Sequence, residues 1–290
     1  MHFHAARGRT FLKAAHALVL VFCISQPLSA SANSPPNGSA MVENPCPPAL
    51  EVPRVLSDDR EHTLNPKAAE AKSVDLSANP EAQAYIKMQR ERAQVDWANL
   101  CRYRQANGAL SSPTRVVFMG DSITENWAKA DPDLFKQGIV GRGISGQTSP
   151  QMLLRFFQDV IDLHPRVVHI MAGTNDVAGN TGPSSEKDFQ NNLRAMVELA
   201  QAHHIRVALA SILPASTFSW LPALRPALTI QHLNAWLQQY ARETHSRYID
   251  YYATLNDGQG GFKPNLSNDG VHPNRDGYAA MRKLAEEGIQ

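Results

Sequence analysis

The stretch VVFMGDSIT, residues 116–124, decides how the chain is read. Its first four residues are apolar and read as a strand buried on both faces. The run breaks at Gly120, and Asp121 and Ser122 follow. Open α/β sheets bind their ligands outside the carboxyl ends of the strands, so a serine at this point stands where chemistry is done. A GDS turn can also end a strand that does nothing, and the tripeptide gains weight only from its surroundings.

Downstream of residue 115, apolar runs at 139–140, 167–171, 205–213 and 248–249 read as further buried strands. Between them lie helical patterns such as Phe189, Leu193, Met196, Val197, Ala200 and Ile230, Leu233, Leu237, Tyr240. Strands separated by amphipathic helices imply a parallel sheet covered on both faces. Residues 214–226 interrupt the pattern with three prolines and the apolar Phe218, Trp220, Leu221 and Leu224. They read as a packed loop, with a wall of a substrate pocket as the alternative.

Upstream, Asn79-Pro80-Glu81 is a helix start: a capping residue, proline at the first helical position and an acid in the first turn. Ile86, Ala93, Trp97, Leu100 and Cys101 fall on one stripe, expected to pack on the main domain, and residues 108–113 end the helix. Residues 33–78 are rich in Pro, Asn, Ser and Ala without sustained period and read as linker. The organisation expected is therefore a leader over 1–32, a linker and helical extension over 33–112, and an α/β domain over 113–290.

The leader has the form of a secretory signal peptide. Arg7, Arg9 and Lys13 precede the apolar run 17–24, and Ala30-Ser31-Ala32 offers a small-x-small cleavage site. Eight apolar residues are too few to span a bilayer, so no stable membrane span is expected after cleavage. Cys23 follows Phe22, where a lipoprotein signal needs a small residue. A secreted or periplasmic location follows.

At 43% hydrophobic and 19% charged residues, the composition is that of a globular chain. Without residues 1–32 there are 25 Lys and Arg against 27 Asp and Glu, a net charge of −2. That offers no basic field for nucleic acid or anionic lipid. Cys46 and Cys101 survive cleavage, and the sequence leaves open whether they pair.

Four short stretches fall at successive strand ends: Gly120-Asp121-Ser122, Gly143-Ile144-Ser145-Gly146, Gly173-Thr174-Asn175-Asp176 and Asp269-Gly270-Val271-His272-Pro273. Together they supply the parts of acyl transfer. A serine hydroxyl needs a base to take its proton, and the base needs an acceptor to hold its tautomer. Asp269 and His272 are three residues apart, within reach of each other in one turn of chain, and residues 274–287 read as a helix behind them. His272 Nε2 is then expected to face Ser122. For the oxyanion, the candidate donors are the N–H of Ser122, the N–H of Gly146 and the side-chain amide of Asn175.

This set resembles the SGNH/GDSL hydrolase family over residues 113–290, with every motif block present and in order. The phrases MGDSITENW and GVHPNRDGY are most similar to the branch of platelet-activating-factor acetylhydrolase-like subunits and microbial acyl and carbohydrate acetyl esterases. The resemblance implies a flavodoxin-like three-layer α/β/α fold and a metal-independent serine esterase without cofactor. It makes Ser122 the nucleophile, Asp269 and His272 the rest of the triad, and Gly146 and Asn175 the partners of Ser122 in the oxyanion hole. It does not reach residues 33–112.

Rival patterns carry less. Residues 141–146, GRGISG, match the dinucleotide fingerprint G-x-G-x-x-G, but the next strand ends in Ala172-Gly173 rather than an acid. His203-His204 lacks a third ligand at a telling spacing and reads as solvated surface. Asp121 and Asp176 read as turn-holding carboxylates. The signature G-x-S-x-G is absent around Ser122, which argues against the common α/β-hydrolase fold. The function expected is ester hydrolysis on a small-molecule, carbohydrate or lipid ester. A thioesterase or lysophospholipase on the same groups is the alternative, and a non-catalytic secreted binding module is the alternative of another class.

Overall fold

The apolar runs of the sequence become five short parallel strands, each followed by a helix that returns the chain to the other end of the sheet. A computed structural model describes residues 41–67 and 76–290; the leader read over 1–32 lies outside these residues. Residues 41–45 carry no helix or strand, and a single compact unit begins at Cys46. Within it the order is α1 (Arg54–Leu64), α2 (Pro80–Val95), α3 (Arg104–Gly108), β1 (Val116–Gly120), α4 (Ser122–Ala130), β2 (Ile139–Gly143) and α5 (Ser149–Asp159). Then come β3 (Val167–Met171), α6 (Thr174–Ala178), α7 (Glu186–Ala202), β4 (Arg206–Ala210), α8 (Ala227–Glu243), β5 (Arg247–Ile249), α9 (Tyr251–Leu255) and α10 (Arg275–Gly288).

The sheet runs β2-β1-β3-β4-β5, all parallel, which is the flavodoxin-like order. Val116 pairs with Ile139 on one side and Val167 on the other, so β1 lies at the switch point where the strand order reverses. Both β1 and β3 are buried throughout, as strands of a sheet covered on both faces are, and the polar His169 within β3 meets the Tyr251 hydroxyl at 3.1 Å. Val117, Met119, Val168 and Ile170 face α5, α7 and α8, while Val116, Phe118, Val167 and Met171 face α4, α9 and α10. The result is the expected three-layer α/β/α sandwich.

At the second of these layers, Trp127 of α4 is fully buried between Phe118, Tyr251 and Tyr278. α4 can sit this close because Gly143 has no side chain: a Cβ there would lie 2.2 Å from the Glu125 nitrogen. One glycine at the end of β2 thus sets where the helix after β1 begins.

The extension departs from its reading as linker. Residues 54–64, inside the stretch without period, form α1, and Leu64 is buried in the core layer of α4 and α10. α1 is held by partners far away in sequence: Asn268 Nδ2 donates to the carbonyls of His62, Thr63 and Asn65, and Arg275 pairs with Glu61 through its two terminal guanidinium nitrogens at 2.7 and 2.9 Å. Such contacts leave no apolar period to find.

α2 starts as expected, with Asn79 accepting from Ala82 N–H and Pro80 at the first position. The proposed stripe does not continue past Val95, however. Asp96 accepts the N–H groups of Leu100 and Cys101 and turns the chain, leaving Trp97 44% exposed. This turn is fastened by amides rather than by apolar contact: Gln151, Gln147 and Gln158 donate to the carbonyls of Trp97, Ala98 and Leu100. The short α3 then precedes the loop that leads into β1.

Cys46 and Cys101 form a disulfide across a separation of 55 residues. The purified oxidised protein should leave both sulfurs unreactive to an alkylating reagent until reduced. Reduction should lower stability by about 4 kcal/mol in the chain-entropy treatment of a loop of that size, read as a fall in the denaturant midpoint.

Candidate active site

At the carboxyl end of β1 the Asp121 carboxylate accepts the N–H of Ile123 at 2.9 Å and caps α4, so the helix begins at Ser122. The buried Tyr278 of α10 donates its hydroxyl to the carbonyl of Ile123 at 2.8 Å. That bond ties the first turn of α4 to the helix that follows His272. Asn274 caps α10 through the N–H of Gly277, and its amide donates to Asn265 and Asn268, fixing the preceding loop.

Within that loop Asp269 Oδ1 accepts the backbone N–H groups of Val271 and His272 at 2.9 and 2.8 Å. Its Oδ2 lies 2.7 Å from His272 Nδ1, and His272 Nε2 lies 2.9 Å from Ser122 Oγ. A carboxylate at Nδ1 selects the tautomer with its hydrogen there and leaves the Nε2 lone pair for the serine hydroxyl. Burial acts to raise the Asp269 carboxyl, but its hydrogen bonds from the His272 ring and backbone N–H groups outweigh it and hold the group at about 2. Burial acts to lower the His272 imidazole; Asp269, with Asp121 nearby, overrides it and raises the ring above an ordinary histidine.

Two further elements complete the rim. Residues 144–147 form a turn closed by Gln147 N–H to the Ile144 carbonyl at 3.2 Å, with Gly146 at φ +78°, a backbone setting that glycine accepts without strain. Glu125 of α4 holds this turn by accepting the N–H and hydroxyl of Ser145. Among the described residues, the N–H groups of Ser122 and Gly146 have no hydrogen-bond partner.

Asn175, in the first turn of α6, directs its Nδ2 at Asp121 Oδ2 (3.1 Å) and at the Gln147 carbonyl (3.0 Å). Its Oδ1 accepts from Asn180, which fixes which way the amide points. The structure places Asp269, His272 and Ser122 in one hydrogen-bonded run, and Asn175 against Asp121 and the turn of Gly146.

Asp121 and Asp176 also act as structural acceptors, Asp176 across the chain to the N–H and hydroxyl of Ser149. Burial pushes the Asp121 carboxyl up to about 6 against the pull of the Ile123 N–H. His203 and His204 are exposed beyond the end of α7. No group of three or more His, Cys, Asp or Glu side chains among the described residues is gathered to ligate a metal. A cavity of about 510 Å³ opens at the opposite, amino-terminal end of the strands, beside Val116, Ile139 and Val167.

Sequence reasoning missed Arg155, which is fully buried in α5 and donates to the Gly120 carbonyl at 2.9 Å and to Gln147. Its signal was present. Met152, Arg155, Phe156 and Asp159 share one helical stripe, and a cation with an acid four residues on, set among apolar residues, marks a buried pair.

Residues 118–280 match the sequence profile of the GDSL-like lipase/acylhydrolase family. The crystal structure of a GDSL-like lipase of Bacteroides thetaiotaomicron is 46% identical, covers 66% of this chain and 97% of its own, and superposes with a TM-score of 0.64. An acetylxylan esterase of Geobacillus stearothermophilus, solved as a catalytic mutant, is 22% identical, covers 62% of this chain and 95% of its own, and has a TM-score of 0.51, a likeness of fold. The uncharacterized lipoprotein YqeF of Bacillus subtilis is 34% identical over 117 residues, 34% of this chain. The chain spans about half the length of that relative, 48%.

The opposed effects on His272 give a direct test. In a ring-resonance titration by NMR, His272 should protonate at a pH above the 6.5 of an unperturbed histidine. In Asp269→Asn the carboxylate's charge is gone and desolvation is left to dominate, so the midpoint should fall.

Proposed function

The chain belongs to the GDSL-like lipase/acylhydrolase family, and from that premise we propose that it is an exported serine ester hydrolase cleaving acyl esters, carbohydrate O-acetyl esters among them. The observation that carries this reading is the unbroken run from Asp269 through His272 to Ser122, with steps of 2.7 and 2.9 Å.

Ser122 Oγ attacks the ester carbonyl carbon while His272 Nε2 takes the hydroxyl proton, and Asp269 steadies the imidazolium so formed. The carbonyl π electrons move to oxygen. The N–H groups of Ser122 and Gly146, with no protein partner to give up, meet the charge without reorganisation. Ser122 also opens α4, whose dipole favours negative charge at that end. Asn175 is the third donor, sharing with the oxyanion an amide hydrogen that otherwise faces Asp121 or Gln147. Collapse of the intermediate breaks the ester C–O bond, and His272 returns its proton to the departing alkoxide. Water, deprotonated by the same ring, then attacks the acyl-enzyme carbonyl and releases the carboxylic acid, restoring the Ser122 hydroxyl.

Export is supported by the apolar leader with its small-residue cleavage site and by a disulfide, a bond that persists in oxidising compartments. The similarity to a lipoprotein points the same way. Among the described residues no helix is long and apolar enough to cross a membrane.

A fluorophosphonate probe should label the purified protein at Ser122, and Ser122→Ala should abolish labelling and lower kcat/KM on short nitrophenyl esters by at least ~10⁴-fold. Asn175→Ala should cost about 10²–10³ in kcat, the size of one lost oxyanion donor. Since the free base of His272 is the reactive form, activity should vanish as pH falls and rise through a midpoint above 6.5. Labelling that survives in Ser122→Ala, or a rate flat from about pH 5 to 8, would falsify these assignments.

A further inference from the structure

The loop between β4 and α8 presents an indole that the proposed reaction does not use. Phe218 is fully buried, and Trp220 stacks on it with ring centroids 5.0 Å apart and planes at 19°. The Trp220 N–H donates to Asn180 Oδ1 at 3.3 Å, and the Asn180 amide in turn donates to Asn175. Leu221 N–H closes the loop on the Phe218 carbonyl at 3.0 Å. One face of the indole is thus covered and its polar edge fastened, yet Trp220 stays 44% exposed. What it shows to solvent is the other face, two hydrogen bonds from the Asn175 amide.

We propose that this outer face of Trp220 is a stacking subsite for the sugar ring of an acylated carbohydrate, so that the ester offered to Ser122 sits on a pyranoside. The proposal rests on the reading of Ser122 as the ester-cleaving nucleophile and names the substrate class for it. A pyranose is apolar across its C–H face and polar around its rim. The loop answers both parts: a flat π surface, and beside it the polar Asn180 side chain that accepts the indole N–H. A quaternary ammonium headgroup is recognised by a cage of several rings, whereas Phe218 lies stacked behind Trp220 rather than facing across from it. An alkyl chain gains most from enclosure, and this face is open. Because the ring is already immobilised on Phe218 and Asn180, stacking on it orders little that is not ordered beforehand.

The test uses the full chain in two arms. In calorimetry with Ser122→Ala, which leaves the ester intact, an acetylated methyl xyloside should bind, at least tenfold more weakly once Trp220→Ala is added. Trp220→Phe, which keeps the π face, should stay within threefold. In the active protein, Trp220→Ala should lower the preference for that xyloside over ethyl acetate at least tenfold, chiefly through KM. Equal xyloside affinity with and without the indole would overturn the subsite, as would phosphocholine or a long-chain acyl ester being the ligand that depends on Trp220. If the wild-type protein cleaves no ester, the assignment of Ser122 fails, and the calorimetric arm still decides the subsite.

Discussion

A guanidinium with no access to water sits beneath the site and sets its geometry. Arg155 reaches the carbonyl of Gly120, the last residue of β1, the side chain of Gln147 at the edge of the Gly146 turn, and Asp159 one turn along its own helix. Desolvating such a cation is expensive, and removing one partner of a buried pair typically costs about 3–5 kcal/mol. The arrangement therefore exists only with all its acceptors in place. It joins the strand that leads to Ser122 to the turn that carries Gly146. Asp159 also accepts from Asn107, which in turn accepts from the buried Arg142, so the extension and β2 belong to the same polar cluster.

Around that anchor the layout follows from strand ends. Ser122 stands directly after β1 and Asn175 soon after β3, and these two strands are neighbours in the sheet. Parallel pairing alone brings their carboxyl ends together. His272 comes from the far end of the chain and needs a separate device, supplied by the Tyr278 hydroxyl on the first turn of α4 and by the Asn274 cap beneath its loop. His272 is placed by the helix behind it.

Much of this was legible because it is written in local pattern. Residues 167–171 are four apolar residues around His169, bounded by Arg166 and by Ala172-Gly173, and β3 occupies those positions. The Asn79 cap and the Asp269-x-x-His272 spacing are likewise short-range facts. By contrast β2 runs on through Gly141, Arg142 and Gly143, where hydrophobicity gives no strand signal; its pairing with β1 and the burial of Arg142 against Asn107 carry it. α1 escaped notice because its fastenings, Asn268 and Arg275, are more than 200 residues away. The pairing of Cys46 with Cys101 was undecidable for a similar reason, since spacing says nothing about where two sulfurs meet.

The extension also reaches the rim of the site. Arg60 of α1 and Arg102 both approach Glu125, the carboxylate that holds Ser145. The disulfide gives this attachment a covalent backing. Because α1 and α2 lie between its two cysteines, the bridge makes a closed ring of everything from residue 46 to 101. A protease that severs the backbone once inside that ring would release nothing: the two fragments would stay linked through sulfur, and α1 would come free only under a reductant.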